Sequence, residues 1–311
     1  MEKSNNKPRV IAVVGPTAVG KTALAVSLAR ELDGEVISCD SMQIYRGMDI
    51  GTAKITEDEK CGIVHHLIDI REPYEDFSCA DYATLARELI DDIVSRGKTP
   101  IFCGGTGLYL NSVLEISSFA QTTKDESFRA EMEEFARENG NSALHARLAE
   151  VDSESAEQIH ENNVKRVIRA LEIYHSTGKK KSELDALSKC DSSPYDATVF
   201  FLSAKNKDAL YERIERRVDM MIEDGLAHEC KRLYDNGYLS SGMPSSEAIG
   251  YKELVPFIEG RDTLESCIAR LKLSTRHYAK RQITWFKKNK DYITIYTDEE
   301  DALTRALEIL K

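Results

Sequence analysis

A glycine-containing loop near the start of the chain has the composition and spacing of a phosphate-binding loop. The segment reads G-P-T-A-V-G-K-T and satisfies the pattern G-x-x-x-x-G-K-[ST]. Its glycines let the backbone wrap around a diphosphate, whose negative charge is stabilised by amide N–H groups and by the ammonium of Lys21. The hydroxyl of Thr22 is suited to hold Mg²⁺. The residues predicted to bind a diphosphate are Gly15, Pro16, Thr17, Ala18, Val19, Gly20, Lys21 and Thr22.

Two further polar loops contain side chains that could act on a ligand. Asp40 ends a predicted strand, so it could hold a metal ion as a Walker B residue does, accept a proton from an acceptor group, or simply cap a helix. In Gly104-Gly105-Thr106-Gly107 the glycines permit a tight turn against a ligand, and Thr106 has the only hydrogen-bonding side chain. A purely structural turn is the alternative for this second loop.

An arginine pair and a histidine pair are also candidates for chemistry. Arg213 and Arg217 lie four residues apart in a predicted helix and share one face, which suits a clamp on phosphate oxygens. Ion pairs with neighbouring glutamates explain them equally well. His65 and His66 have no third ligand at suitable spacing, so a packing role is favoured over a metal site.

Strands and helices alternate in the elements that must position these residues. Apolar spacing predicts strands over Arg9–Val14, Glu35–Cys39 and Pro100–Cys103, with helices over Lys21–Leu32 and Ala80–Arg96. Such alternation is typical of a doubly wound parallel sheet, so the predicted fold is an α/β core of the P-loop NTPase type. Because ligands of these sheets bind beyond the carboxyl ends of the strands, the three loops should converge.

The strand signal disappears between about Gln121 and Ser193, where charged helical stretches such as Asp125–Glu138 and Asn163–Ser176 replace it. The predicted domains are therefore a catalytic core of residues 1–120 and 194–311 and an all-helical insertion of residues 121–193. Within the second core segment we predict strands over Ala197–Ser203 and Tyr292–Tyr296 and helices over Asp208–Asp224, Leu226–Asn236 and Thr263–Lys288.

Composition limits the compartment and the partners. The seven cysteines are scattered without a C-x-x-C pair, which is typical of a reducing compartment. No apolar signal segment or membrane-length apolar stretch is visible, so we expect a cytoplasmic protein without a membrane partner. Nothing in the sequence demands more than a monomer. The formal net charge of −11 argues against nucleic acid at first sight.

The positive charge is nevertheless concentrated in two clusters. No acidic residue falls between Ser266 and Lys290, where eight lysines and arginines are interleaved with Tyr278, Trp285 and Phe286. A second cluster, from Lys165 to Lys181, contains only one acidic residue. Both clusters are explained either by solvated helix faces or by contact with nucleic acid.

Seven ordered motifs resemble the bacterial tRNA dimethylallyltransferases, also called tRNA isopentenyltransferases, from Arg9 to about Tyr296. They are GPTAVGKTALA, DSMQIYRGMDIGTAK, HHLID, GGTGLYL, KRVIRALEIY with TGK, AIGYKE and YAKRQITWF. The resemblance implies transfer of a dimethylallyl group from dimethylallyl diphosphate to N6 of the adenosine immediately 3′ of a tRNA anticodon. Diphosphate then leaves with Mg²⁺.

The resemblance also implies roles for individual residues. Asp40 would accept the N6 proton, Thr106 would lie beside the extruded base, and Arg217 would contact phosphate. The insertion and the basic clusters would hold the tRNA anticodon stem-loop. The implied tRNA contacts are Asp40, Ser41, Met42, Gln43, Thr106, Arg129, Lys165, Arg166, Val167, Ile168, Arg169, Gly250, Tyr251, Lys252, Arg276, Lys280, Arg281, Gln282 and Trp285.

Three rival functions would use the same loop. A small-molecule or nucleotide kinase would bind ATP there and orient a hydroxyl acceptor with Asp40. A prenyltransferase could act on free AMP or ATP, although a basic helical insertion favours tRNA. A GTPase-like switch needs an N-K-x-D segment, and neither Asn206-Lys207-Asp208 nor Asn289-Lys290-Asp291 has that spacing.

Overall fold

A six-stranded parallel sheet forms the centre of the larger unit of the protein. The computed structural model describes residues 7–114, 125–188 and 193–311. The strands are β1 (Arg9–Val14), β2 (Gly34–Ser38), β3 (His65–His66), β4 (Thr99–Gly104), β5 (Asp196–Ser203) and β6 (Ile293–Tyr296), in the order β3-β2-β4-β1-β5-β6. Every neighbouring pair is parallel. The predicted α/β class is confirmed.

Helices, loops and turns connect these strands and form the rest of the described chain. The helices are α1 (Lys21–Glu31), α2 (Glu57–Lys60), α3 (Cys79–Ser95), α4 (Gly107–Leu114), α5 (Glu126–Asn139), α6 (Asn141–Val151), α7 (Ser153–Gln158), α8 (Val164–Thr177), α9 (Lys181–Ser188), α10 (Lys207–Glu223), α11 (Leu226–Asp235), α12 (Val255–Ile258), α13 (Leu264–Phe286) and α14 (Ala302–Leu310), with a 3₁₀ turn over Pro244–Glu247. None of them combines the length and apolar character that a bilayer crossing requires.

The internal contacts divide the chain into two units. One consists of Met1–Leu114 and Tyr195–Lys311, and the other is Glu115–Pro194, of which residues 125–188 and 193–194 are described. The predicted insertion of residues 121–193 falls inside the second unit. The elements of the first unit that the sequence did not predict are short or terminal: β3, α2, α4, α12, α14 and the 3₁₀ turn.

Both faces of the sheet are buried, which explains the continuous apolar run of β1. Val10, Ala12 and Val14 pack with α3 and α4 on one face. Ile11 and Val13 pack with α1, α10 and α14 on the other. A strand covered on both faces has no solvent side, so its residues do not alternate between polar and apolar.

The histidine pair lies in β3 and has structural contacts. His66 Nε2 lies 2.8 Å from Glu35 Oε2, and His65 Nδ1 lies 2.9 Å from the carbonyl oxygen of Ile63. Hydrogen bonds from Arg96 and His66 outweigh burial and lower the pKa of Glu35 to about 2. The described residues contain no group of three or more His, Cys, Asp and Glu side chains that could hold a metal ion.

A buried carboxylate organises the helical unit. Glu172 on α8 accepts hydrogen bonds from Arg129 on α5, from Arg169 and from the amide of Asp125. Burial acts to raise its pKa, but these donors outweigh burial and lower the pKa to about 2. Arg129 therefore holds α5 against α8, whereas Arg169 pairs with Glu172 within α8 itself.

Two predicted RNA contacts in this unit need correction. The side chains of Val167 and Ile168 are buried in the hydrophobic core that α5, α6 and α8 share. They lie on the inward face of the amphipathic helix, so they support the basic face rather than belong to it. Lys165 and Arg166, by contrast, are exposed.

We expect Glu172→Gln to destabilise the helical unit by about 2–3 kcal/mol, because a charged acceptor of several hydrogen bonds is lost. Hydrogen exchange of the α8 amides measures this change. The matched substitution Glu157→Gln, at an exposed position, should change protection by less than about 0.5 kcal/mol. Equal effects of the two substitutions would contradict the role of Glu172.

Candidate functional site

A cavity of about 330 Å³ lies at the carboxyl ends of β1, β2 and β4. The loops that follow β1 and β2 line it together with the end of β4, α10 and α13. The sequence predicted that the loops after the three strands converge; Thr106, in the loop after β4, is not part of the lining. Its polar lining includes Thr17, Lys21, Thr22, Asp40, Ser41, Gln43, Arg217, Lys252, Thr275, Tyr278, Arg281 and Gln282. Its apolar lining includes Met42, Ile214, Val218, Met221, Ala248, Ile249 and Leu271.

The loop after β1 requires glycine at its first position. Gly15 has a φ of +146°, and a Cβ there would lie 2.3 Å from the carbonyl oxygen of Leu202. The close approach of β5 therefore excludes any side chain. Within the loop, Thr17, Lys21 and Thr22 line the cavity, whereas Val19 is buried in the core.

Two cations mark one end of the cavity. The Nζ of Lys21 donates to the carbonyl oxygen of Pro16 at 2.7 Å, and burial lowers the pKa of this ammonium to about 8. Arg217 Nη1 donates to Thr17 Oγ1 at 3.4 Å, and burial lowers the pKa of Arg217 as well. Buried like charges are unfavourable unless an anion accompanies them, so this end is suited to a diphosphate.

Only one member of the predicted arginine pair reaches the cavity. Arg213 does not line it, and the Nε and Nη2 atoms of Arg213 are buried without a hydrogen-bond partner among the described residues. Nearby Asp298 has a lowered pKa because it accepts backbone hydrogen bonds, with a smaller effect from the charge of Arg213. Of the two arginines, therefore, only Arg217 lines the cavity.

Asp40 and Thr106 lie on two loops that are hydrogen-bonded to each other. Asp40 Oδ1 accepts from the amide of Met42 at 2.9 Å, and the following residues form turns, so the helix-cap interpretation is wrong. Thr106 Oγ1 accepts from the amide of Ser41 at 3.1 Å, and the Thr106 amide donates to the carbonyl oxygen of Cys39. These bonds hold the two loops at a fixed spacing.

Tyr278 on α13 faces this pair and was missed by the sequence analysis. Burial, with a contribution from the negative charge of Asp40, raises the pKa of its phenol well above the usual value. The side chain of Thr106 has a smaller, opposing effect on this pKa. An aromatic residue within a basic helix gives no sign of which face it occupies, so only the fold could place it.

The apolar wall of the cavity was also missed. Ile214, Val218 and Met221 project from α10, and Leu271 projects from α13. Their helical spacing is that of any core-facing stripe, and Ile214 and Val218 also belong to core clusters. Sequence periodicity cannot distinguish a stripe that packs against protein from one that lines a cavity.

A buried carboxylate supports the loop that forms another wall. Glu229 on α11 accepts hydrogen bonds from the amides of Asp49, Ile50 and Gly51 at 3.0–3.1 Å. It also accepts from the hydroxyl of Tyr251 at 2.7 Å. Tyr251, predicted to contact RNA, has a fully buried side chain and shapes this loop instead. Its neighbours Gly250 and Lys252 line the cavity.

The remaining predicted RNA contacts on α13 differ in their surroundings. Arg281 lines the cavity, and Trp285 is 38% exposed with its indole against Gly107. Arg276 forms an ion pair with Glu215, so its charge is already partly neutralised. Lys280 belongs to a second cavity of about 450 Å³, whose other lysines are Lys207, Lys287 and Lys288. Gln282 is buried.

The cavity fits a magnesium ion bound mainly through a diphosphate. The hydroxyl of Thr22 lines it and is a hard oxygen donor of the type that Mg²⁺ prefers. Mg²⁺ commonly uses one or two protein groups together with substrate phosphates and water. A larger cluster of protein ligands is therefore unnecessary.

The sheet order, the loop after β1 and the cavity define a P-loop α/β protein whose site joins a diphosphate pocket to an apolar wall. The chain belongs to the IPP transferase family, whose model matches residues 43–289. The tRNA dimethylallyltransferase of Halalkalibacterium halodurans is 50% identical over 93% of this chain and 90% of that protein. That of Bacillus subtilis is 50% identical over 94% and 91%.

Solved structures agree with this assignment. A tRNA isopentenylpyrophosphate transferase from Bacillus halodurans superposes with a TM-score of 0.72 at 47% identity, covering 97% of this chain and 94% of that one. A eukaryotic dimethylallyltransferase acting on tRNA gives a TM-score of 0.81 at 31% identity, covering 97% and 77%. The P-loop NTPase-like fold predicted from the sequence is thereby confirmed.

The lowered pKa of Lys21 predicts how diphosphate affinity depends on pH. Lys21 is charged below about pH 8 and neutral above it, so affinity should weaken by up to about tenfold per pH unit above that value. Calorimetric titration with magnesium diphosphate at several pH values measures this. Lys21→Arg stays charged and corrects for the titration of diphosphate itself. A constant ratio between the two proteins from pH 7 to 9.5 would rule out the shift.

Proposed function

We propose that this protein transfers the dimethylallyl group of dimethylallyl diphosphate to N6 of the adenosine immediately 3′ of a tRNA anticodon. The observation that carries the proposal is the lining of one cavity, which combines the cations Lys21 and Arg217, the carboxylate of Asp40 and apolar side chains of α10 and α13. The cations suit a diphosphate and the apolar side chains suit the hydrocarbon chain of a prenyl donor.

The sheet order supplies the separation that two substrates need. Asp40 follows β2 and the phosphate loop follows β1, with β4 between them. Strands lie about 4.8 Å apart, so the two loops start about 10 Å from each other. A diphosphate above β1 and an adenine beside Asp40 can thus meet through the allylic carbon.

The reaction forms one bond and breaks one. The N6 nitrogen attacks C1 of the dimethylallyl group, the C1–O bond breaks, and its electron pair leaves on the diphosphate. Lys21, Arg217 and the loop amides stabilise the charge that develops there. Bound Mg²⁺ would neutralise further charge on the leaving diphosphate. Asp40 accepts the N6 proton. Removal of this proton compensates for the weak nucleophilicity of the adenine amino group, whose lone pair is delocalised into the ring.

The tRNA would be held by exposed and cavity-facing residues of both units. Lys165 and Arg166 are exposed on α8, and Trp285 offers an aromatic surface on α13. Arg281, Lys252 and Gly250 border the cavity that would receive the extruded base.

A transfer assay tests the proposal directly. The protein is incubated with radiolabelled dimethylallyl diphosphate, Mg²⁺ and unmodified tRNA, with AMP and ATP as parallel acceptors. We expect label in tRNA and little in the free nucleotides. An absence of label in tRNA would refute the proposed function, and label in AMP or ATP alone would indicate the free-nucleotide reaction.

Asp40→Asn tests the proton acceptor without disturbing its loop. The amide oxygen can still accept the Met42 hydrogen bond, but the side chain no longer acts as a base. We expect kcat to fall by about 10²–10⁴-fold with unchanged tRNA affinity. Asp58→Asn, an exposed aspartate, serves as the matched control. Turnover of Asp40→Asn within about tenfold of the unmodified protein would rule out Asp40 as the base.

A further inference from the structure

The side-chain amide of Gln282 joins the two loops that would hold the two substrates. Its Oε1 accepts a hydrogen bond from the amide of Thr17, in the phosphate loop, at 3.0 Å. Its Nε2 donates to the carbonyl oxygen of Gly105, in the loop after β4, at 3.0 Å. Both ends of one amide are therefore engaged, each with the backbone of a different loop.

The connection continues from Gly105 to Asp40. Gly105 precedes Thr106, whose hydroxyl accepts the amide hydrogen of Ser41, and Ser41 follows Asp40. The phosphate loop, Gln282, the threonine loop and the proposed base thus form one hydrogen-bonded series. Since protein–protein hydrogen bonds in a buried site are rigid, a shift at one end would be transmitted to the other.

Close packing leaves this bridge little freedom. Gln282 is 5% exposed, and a Cβ on Gly105 would lie 2.0 Å from its Nε2. On the same helix Ala279 and Phe286 are buried in the cores on opposite faces of the sheet, which fixes the position of α13. Glycine at position 105 is therefore required by the approach of the glutamine side chain.

The burial of Gln282 changes the interpretation of its motif. Family resemblance placed it among the tRNA contacts, but both polar atoms already have protein partners and the side chain is nearly inaccessible. The second hydrogen of Nε2 and the second lone pair of Oε1 are not used by these bonds, but at 5% exposure the side chain offers almost no surface to an RNA.

We propose that Gln282 is a positioning residue that sets the distance between the diphosphate and the acceptor adenine. The proposal rests on the proposed transferase function. An error of about 1 Å between reacting atoms can cost about 10²-fold in rate. The bridge should therefore matter for kcat far more than for the affinity of either substrate.

Gln282→Met is the first test, because methionine has a similar length and cannot make both bonds. We expect kcat to fall about 30–100-fold, while the KM for dimethylallyl diphosphate and the Kd for tRNA change less than about threefold. The control is Gln158→Met, the same substitution at an exposed position of the other unit, which should leave all three parameters unchanged.

Gln282→Glu is the second test and has a pH signature. A protonated carboxyl group can accept from Thr17 and donate to Gly105, as the amide does, whereas the ionised form cannot donate. Burial raises the pKa of a carboxyl group placed there, so the kcat of the variant relative to the unmodified protein should rise as pH falls from about 8 to 6. Lys21, Arg217, Asp40 and Tyr278, together with Lys252 and Arg281, line the same cavity and are present in both proteins. A pH dependence confined to the variant therefore reports the carboxyl group at position 282, including its coupling to these groups.

The outcomes separate the possible roles. If Gln282→Met bound tRNA with a higher Kd but kept a normal kcat, the RNA-contact interpretation would be restored and the proposal overturned. A lowered melting temperature with activity proportional to the folded fraction, together with a flat pH ratio for Gln282→Glu, would show a merely structural role. Should the methionine variant fail to fold, the pH ratio decides alone. Loss of transfer in the unmodified protein would instead refute the proposed function.

Discussion

The parallel pairing of β2, β4 and β1 is the constraint on which the candidate site depends. It brings the loops after these strands to one edge of the sheet and sets about two strand spacings between the phosphate loop and Asp40. The proposed reaction needs both loops, because one would bind the leaving group and the other would activate the acceptor. The hydrogen bond from the Ser41 amide to Thr106 then fixes the loops after β2 and β4 to each other.

Burial of Lys21 and Arg217 strengthens their attraction for an anion and also makes their charged forms less favourable. Lys21 and Arg217 both have lowered pKa values because the charged forms are desolvated. The same low-dielectric surroundings strengthen their attraction for a diphosphate and for the charge that develops as it departs. In the free protein these two buried positive charges are unfavourable, and a bound diphosphate would compensate them. The same interaction would favour binding of the donor and stabilise its leaving group.

The sequence predicted those parts of the site that are local in the chain. The phosphate loop is recognisable because glycine, lysine and threonine act at fixed spacing, and Asp40 and Thr106 follow strands whose direction fixes their position. Tyr251, Gln282 and Tyr278 could not be placed in the same way, because their roles depend on which side of a helix or turn faces the core. Val167 and Ile168 show the same limit, since one helical motif contains both the exposed basic residues and the buried apolar residues that support them.

Close packing around Gly15 and Gly105 leaves the two loops of the site little room to move. Gly15 lies against the backbone carbonyl of Leu202, so β5 contacts the phosphate loop without an intervening side chain. Gly105 lies against the side-chain amide of Gln282, which its two hydrogen bonds and its burial hold in place. A bond-forming reaction between two large substrates needs precise spacing of the reacting atoms. That precision comes from the loop backbone packed against β5 and α13, which also fixes the reactive side chains on the loops.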